Sequence, residues 1–356
     1  MSSSTPIEPP AYRLEGERLK DGWTVSSRLD WANDHSGGSF SVGYLAIRDD
    51  GTQGFLKAFD YTTALESEDP ATELRRLTDA FLAERTVLEH CGERRFSQIV
   101  RILDAGTIRV DGVVTNAVSY LLFEWAVLDG RTAVTQADPA DHAPMLTYAH
   151  NAAVGLSQLH SAQINHQDLK PSNLVLVDEL GALSGKLSDL GRAFMLGRPA
   201  PHDDLVVAGA AAYAAPEQLY NCPSRLRDEG WRTAADLYMF GNLVSFLLTG
   251  VPFSGITLGD LHPTLRWKEW NGTFDDVLPA LVDAHGRSIS KLKGALHKAV
   301  SDAIAGIIDD LCYPDPRHRG DHVARGRGQN PYDLSRFITR LDLIAHRAAI
   351  HLKRPK

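Results

Sequence analysis

Apolar positions recur along this chain with two different periods, and the change of period divides it. Residues 22–59 alternate in short runs, 44–47 and then 55–59, broken at Asp49-Asp50-Gly51. Alternation punctuated by Asp-Gly predicts antiparallel strands joined by a hairpin. Over residues 70–90 the spacing changes to three and four, with Leu74, Leu77, Phe81 and Leu88 in one stripe, which predicts an amphipathic helix. Residues 120–126 read as another strand. Residues 140–161 are predicted helical, with Leu146, Ala149, Ala153, Leu156 and Leu159 on one side. Residues 174–177 and 186–188 read as short strands flanking loops, and the helix running through Leu248 is apolar on most faces, as an interior helix must be.

Two charges interrupt these apolar patterns. Lys57 shares its side of the strand with Phe55 and Phe59, which reads as an inward face, and Glu84 falls on the helix stripe. A charge on a core-facing side is costly unless paired, so Lys57 and Glu84 are expected to meet. Strands in the first part of the chain and mostly helices afterwards read as α+β, with a flexible leader at 1–20 and a basic tail at 351–356.

Length and composition narrow the class. With 356 residues there is room for two packed lobes, and 43% apolar residues is ordinary for a globular protein. A formal charge of −8 argues against general nucleic-acid binding. Cys91, Cys222 and Cys312 have neither metal spacing nor a disulfide framework, which suits a reducing compartment. The first ten residues lack a basic-then-apolar signal pattern, and the most apolar stretch, 243–253, is too short to span a bilayer. A cytoplasmic protein that engages no membrane is expected.

The chemistry is concentrated in His166-Gln167-Asp168-Leu169-Lys170-Pro171-Ser172-Asn173, followed by Asp189-Leu190-Gly191. Asp168 can accept a hydrogen bond from an attacking hydroxyl, and Lys170 can neutralise charge on a moving phosphoryl group. Asn173 and Asp189 offer oxygen ligands to Mg²⁺. Either fragment alone reads as a loop; order and spacing make the set specific to phosphoryl transfer.

This set resembles the catalytic and metal-binding loops of eukaryotic-like serine/threonine protein kinases. The resemblance extends over most of the chain through Ala215-Pro216-Glu217, Asp236-Leu237-Tyr238-Met239-Phe240-Gly241 and Asp315-Pro316-Arg317-His318-Arg319. It implies a bilobal α+β fold, a small antiparallel-β lobe with one long helix at 21–124, a hinge at 125–130 and a larger, mainly helical lobe at 131–350 carrying an insertion at about 254–300. It implies ATP with Mg²⁺ (or Mn²⁺), Lys57 and Glu84 at the α- and β-phosphates, and a buried pair between Glu217 and Arg319. It also implies adenine contacts from the backbone around Glu124 and Ala126, Phe123 behind the adenine, and Val175 among the nucleotide-binding residues. Gly37, Gly38 and Ser39 look like a degenerate glycine-rich loop, with Ser36 and Ser41 where glycine is usual. A Walker-type loop is excluded, because Tyr44 and Leu45 follow Gly43.

Departures from the family pattern carry information. Gln167 replaces the arginine that usually reads a phosphate on the activation loop, and no Ser or Thr lies between Asp189 and Glu217. Activation independent of Ser/Thr phosphorylation there is expected. Ala210 stands where a threonine commonly bridges the catalytic Asp and Lys, which puts hydroxyl preference in question. Ser172, Gly130 and Phe246 lie where arginine-directed kinases place acidic residues, so a basic substrate consensus is not supported. Phe55 occupies the place of a small alanine over the adenine, opposite an unusually small Gly43, and Leu190 replaces the usual phenylalanine. The insertion, with Trp267 and Trp270, is either a partner-docking platform after Phe253 or a solvated excursion. The protein substrate is not legible. Two other readings compete, a small-molecule phosphotransferase and a pseudokinase scaffold. Lys170 and Glu217 count against the first, and the intact Lys57, Asp168, Asn173 and Asp189 count against the second.

Overall fold

Alternation in the first third of the chain produces a five-stranded antiparallel sheet. The computed structural model describes residues 8–29, 41–110, 116–138, 141–220, 222 and 229–352. Gly37, Gly38 and Ser39 lie outside the described residues. Contacts divide the chain into two units, one from Met1–Arg95 and Val100–Val127, the other from Phe96–Ile99 and Leu128–Lys356.

The strands of the first unit are β1 (Trp23–Arg28), β2 (Ser41–Arg48), β3 (Gln53–Phe59), β4 (Ile102–Arg109) and β5 (Ala117–Glu124), in the order β1-β2-β3-β5-β4. The β2–β3 hairpin turns at Asp50 and Gly51; Gly51 has φ +86°, a left-handed conformation glycine adopts without a Cβ penalty. Asp50 accepts from Thr52 N–H at 3.0 Å and pairs with Arg48. After the short α1 (Thr62–Leu65), α2 spans Pro70–Glu93. Asp69 caps it by accepting from Thr72 N–H, and Pro70 sits in its first turn, where no N–H is needed. Leu77, Phe81, Glu84, Val87, Leu88 and Cys91 are its buried positions.

Two expectations need correction. Residues 8–20, read as part of a flexible leader, are packed on the sheet. Ala11 and Leu14 join the core of Val25, Tyr44, Leu56, Ala58 and Leu122, and Tyr44 Oη donates to Ala11 O at 2.7 Å. Burial pushes the Tyr44 hydroxyl up to about 12. Because this segment covers one face, the fully buried side of β3 is Leu56 and Ala58. Phe55, Lys57 and Phe59 lie on the opposite, half-buried side, where Phe59 meets Phe81 edge-on at 5.0 Å. Alternation identified which residues share a side but not which side was covered.

The second unit is mainly helical. It begins with β6 (Leu128–Asp129), α3 (Gly130–Gln136) and α4 (Ala143–Ser161). Then come β7 (Ile164–Asn165), β8 (Leu174–Glu179), β9 (Ala182–Leu187), β10 (Phe194–Met195) and α5 (Pro216–Leu219). The interior helix α6 (Glu229–Thr249) packs against α4 and α9, and its residues from Ala234 to Val244 are almost all buried. Beyond it are α7 (Phe253–Asp260), α8 (Phe274–Ala295), α9 (Ser301–Cys312), α10 (His322–Gly326) and α11 (Ser335–Leu352). Among the described residues no single helix is long and apolar enough to cross a membrane.

Most of the stretch 254–300 is folded rather than looped. Phe274, Val277, Leu281 and Ala284 on α8 form a small core with Leu261 and Tyr220, and Trp267 and Trp270 pack against it, half-buried. Thr273 caps α8 through a reciprocal box with Asp276. Tyr220 Oη donates to Leu265 O at 2.7 Å, which ties this core to the segment after Glu217.

Candidate active site

The loop between β7 and β8 is built around the buried carboxylate of Asp236. Its Oδ2 accepts from His166 N–H at 2.8 Å and lies 2.9 Å from His160 Nε2. Its Oδ1 accepts from Gln167 N–H at 2.8 Å and from the Gln167 side-chain amide at 2.9 Å. A carboxylate this buried needs such a full set of donors. The set fixes Gln167 at φ +61°, the bend that delivers Asp168. Gln167 also donates to Arg232 O at 3.0 Å, so its side chain is turned into the unit.

Asp168 is held from three sides. Lys170 Nζ lies 2.6 Å from Oδ2, Asn173 Nδ2 donates to Asp168 O at 2.8 Å and to Oδ2 at 3.2 Å, and Ala210 N–H donates to Oδ1 at 2.8 Å. At Ala210, where the resemblance leads one to expect a bridging threonine, the main-chain N–H holds the Asp168 carboxylate. That approach depends on Gly209, where an added Cβ would fall against Asp168 Oδ1 and only 2.6 Å from Gln167 O.

Asn173 and Ser188 connect this loop to Asp189. Ser188 N–H donates to Asn173 O at 2.8 Å, and His166 Nε2–H donates to Ser188 O at 3.1 Å. With Nε2 carrying the hydrogen, His166 Nδ1 is free to accept from Asp168 N–H at 3.3 Å. Asp189 follows in a left-handed conformation, φ +55°. Val175 lies on β8, opposite Asp129 and Lys186.

The remaining sequence-predicted residues lie in the first unit. Lys57 Nζ is 2.9 and 3.0 Å from the two oxygens of Glu84, whose side chain is only 3% exposed. Glu124 pairs with Gly54 at the end of β5 and accepts from Arg101 N–H at 2.8 Å; Ala126 follows the strand. Phe55 leans on Phe123, ring centroids 6.2 Å apart.

The fit to a divalent cation rests on donor type. The Asn173 amide nitrogen is engaged by Asp168, which leaves Oδ1 as its ligand atom, and Asp189 adds a carboxylate. Both are hard oxygen donors. Among the described residues no cluster of three or more His, Cys, Asp or Glu could hold an ion. A cation here would complete its shell with phosphate oxygens and water, as Mg²⁺ does.

Glu217 and Arg319 form the buried pair expected from sequence. Arg319 Nη1 and Nη2 lie 2.7 and 2.8 Å from the two Glu217 oxygens, and its other donors reach Tyr313 O, Ala234 O and Pro314 O.

The family described as "Protein kinase domain" matches residues 37–323, most of the chain. The chain belongs to the protein kinase family. This kinase domain is 35% identical over 102 residues to the serine/threonine-protein kinase PknL of Mycobacterium tuberculosis, 28% of this chain and 23% of that protein. It is 28% identical over 214 residues to a probable serine/threonine-protein kinase of Corynebacterium efficiens, 58% of this chain and 30% of that protein. It is 32% identical over 120 residues to the inactive serine/threonine-protein kinase PLK5 of Mus musculus, 33% of this chain and 18% of that protein. The chain thus matches less than a third of each relative's length.

Sequence reasoning missed several parts of this kinase domain. Gly209 carries no signal beyond being a glycine, and Arg232 lies in a polar stretch before the apolar body of α6. Their placement depends on contacts distant in sequence.

Proposed function

We propose that this kinase domain transfers the γ-phosphoryl group of ATP to Ser or Thr hydroxyls of a protein, without Ser/Thr phosphorylation of its activation loop. The observation that carries the reading is the Asp168 carboxylate, held by Lys170, Asn173 and the Ala210 N–H. An acceptor hydroxyl donates to Asp168 and loses its proton there. Its oxygen bonds to the γ-phosphorus as the bond to the β–γ bridging oxygen breaks, and the nucleoside diphosphate leaves with that electron pair. Lys170 places a positive charge beside the transferring oxygens. Asn173 and Asp189 would hold Mg²⁺ or Mn²⁺, which offsets phosphate charge when bound. Lys57, held by Glu84, is assigned to the α- and β-phosphates, the backbone at Glu124 and Ala126 to adenine, and Val175 to the nucleotide.

Independence from phosphorylation is supported by composition and burial. Between Asp189 and Glu217 the only hydroxyl belongs to Tyr213, which is 8% exposed, and Gln167 is turned inward. The free thiols of Cys91 and Cys312 suit the cytoplasm, where we place the protein. The 254–300 stretch, tied to Tyr220, is our candidate for a partner-docking platform. The pseudokinase reading is favoured by Phe55 and by the serine-substituted glycine loop.

Phosphate transfer from Mg²⁺·ATP by wild type and Asp168→Ala, mapped by mass spectrometry on a mixed protein substrate, tests this proposal. Modified Ser or Thr with wild type only is expected. Absence of transfer would overturn it: with tight nucleotide binding it would point to a small-molecule substrate or a missing activator, and without nucleotide binding to the pseudokinase scaffold.

A further inference from the structure

The segment between Asp189 and Glu217 lacks the usual means of fastening, an exposed hydroxyl for phosphate and an arginine at position 167 to hold it. Something else orders it. Its strand β10 pairs with β7, Phe194 opposite Asn165 and Met195 opposite Ile164. Over the Phe194 ring, 4.2 Å from its centroid, lies the guanidinium of Arg232 from the first turn of α6. The same guanidinium donates through Nη2 to Asp203 O at 2.9 Å. One side chain therefore grips the segment at two places, one at its strand and one in the loop beyond.

That loop is closed locally. Asp203 Oδ2 accepts from Ala200 N–H at 2.8 Å, and the buried His202 donates from Nε2 to Ala193 O at 3.1 Å. The backbone of Arg232 faces the other way, and its carbonyl accepts from the Gln167 amide at 3.0 Å. Arg232 thus touches the segment with its side chain and the residue beside Asp168 with its main chain. Burial draws its pKa down, opposed by Asp203, Asp236 and Asp204, and a guanidinium stays charged under these conditions.

We infer that Arg232 latches the activation segment to the catalytic loop, a built-in cation serving where other chains would need a phosphate. Arg232 is a positioning residue: it holds Phe194 and Asp203, and through the ordered segment the Gly209-Ala210 backbone against Asp168. The planar guanidinium is essential, because it stacks on a ring and donates at its edge at once, which an ammonium on a flexible stem cannot do. The functional part of this inference rests on the kinase reading; the latch itself does not.

The test uses the full chain with Arg232→Met, Arg232→Lys and Phe194→Leu, the last keeping an apolar side chain while removing the stacked ring. Backbone hydrogen exchange of residues 193–205 reports the latch without any need for activity. Faster exchange there is expected in all three, least in Arg232→Lys, with the remainder of the second unit as protected as in wild type. Transfer kinetics should show kcat reduced roughly ten- to a hundredfold and KM for ATP within about twofold of wild type. Unchanged exchange at 193–205 in Arg232→Lys and Phe194→Leu would overturn the latch. Faster exchange with unchanged kcat would overturn its positioning role. Should wild type transfer no phosphate, the kinase reading falls, and the exchange result still decides whether Arg232 latches the segment.

Discussion

The side-chain amide of Gln167 donates to Oδ1 of Asp236 across 2.9 Å, beside the Gln167 main-chain N–H, which reaches the same oxygen at 2.8 Å. Where the family usually presents an arginine outward, this chain has an amide spent inward on the carboxylate that shapes the catalytic loop. The substitution commits this side chain to a structural contact inside the loop.

Restoring the family residue should therefore harm the protein. In Gln167→Arg the guanidinium would enter a buried site next to Arg232. We expect unfolding free energy to fall by about 1–3 kcal/mol and phosphate transfer not to rise. Urea denaturation with parallel rate measurements checks both, and a more active variant would contradict the account.

Gly209→Ala places a methyl group against the Asp168 carboxylate and within 2.6 Å of Gln167 O. The segment must back away, and Ala210 N–H loses Oδ1. A fall of about a hundredfold in kcat is expected with KM for ATP little changed, because no nucleotide contact is assigned to Gly209. Steady-state kinetics on folded protein decides it.

Glu84→Gln removes the charge opposite Lys57 while keeping its shape. Combined with Lys57→Met in a double-mutant cycle, a stability coupling of roughly 0.5–3 kcal/mol is expected. Nucleotide affinity should fall in each single variant. Additive stability effects would show that the 2.9 Å contact contributes nothing.

Burial holds His202 below the usual histidine range, so the folded segment prefers the neutral ring. An opened segment takes up a proton near pH 6.5. Its stability is then level above about pH 6.5 and falls as the pH drops below that value. Hydrogen exchange of residues 193–205, corrected for intrinsic rates, should lose protection between pH 7.5 and roughly 5.5 in wild type. His202→Gln should not show that loss.

The parts legible from sequence were those set by local periodicity or fixed motif spacing. Lys57 and Glu84 each sat on a patterned face, so their meeting could be anticipated from the cost of burying either alone. Asp168, Lys170 and Asn173 lie within one short loop, and their contacts follow from its few residues. Alternation did not reveal that Ala11 and Leu14 cover the Leu56 side of the sheet, because the few apolar residues of that segment follow no regular period. Nor did it place Gly209, His202 or Arg232, whose roles arise only when the segment folds back across α6. The long stretch after Phe253 read as an insertion because its core partner, Tyr220, lies far upstream.

The most direct measurement is the initial rate of transfer from Mg²⁺·ATP by protein whose intact mass shows no phosphate. Product should accumulate linearly from the first time point, with none formed by Asp168→Asn. A lag that disappears as phosphate accumulates between Asp189 and Glu217, or no transfer by wild type, would contradict it.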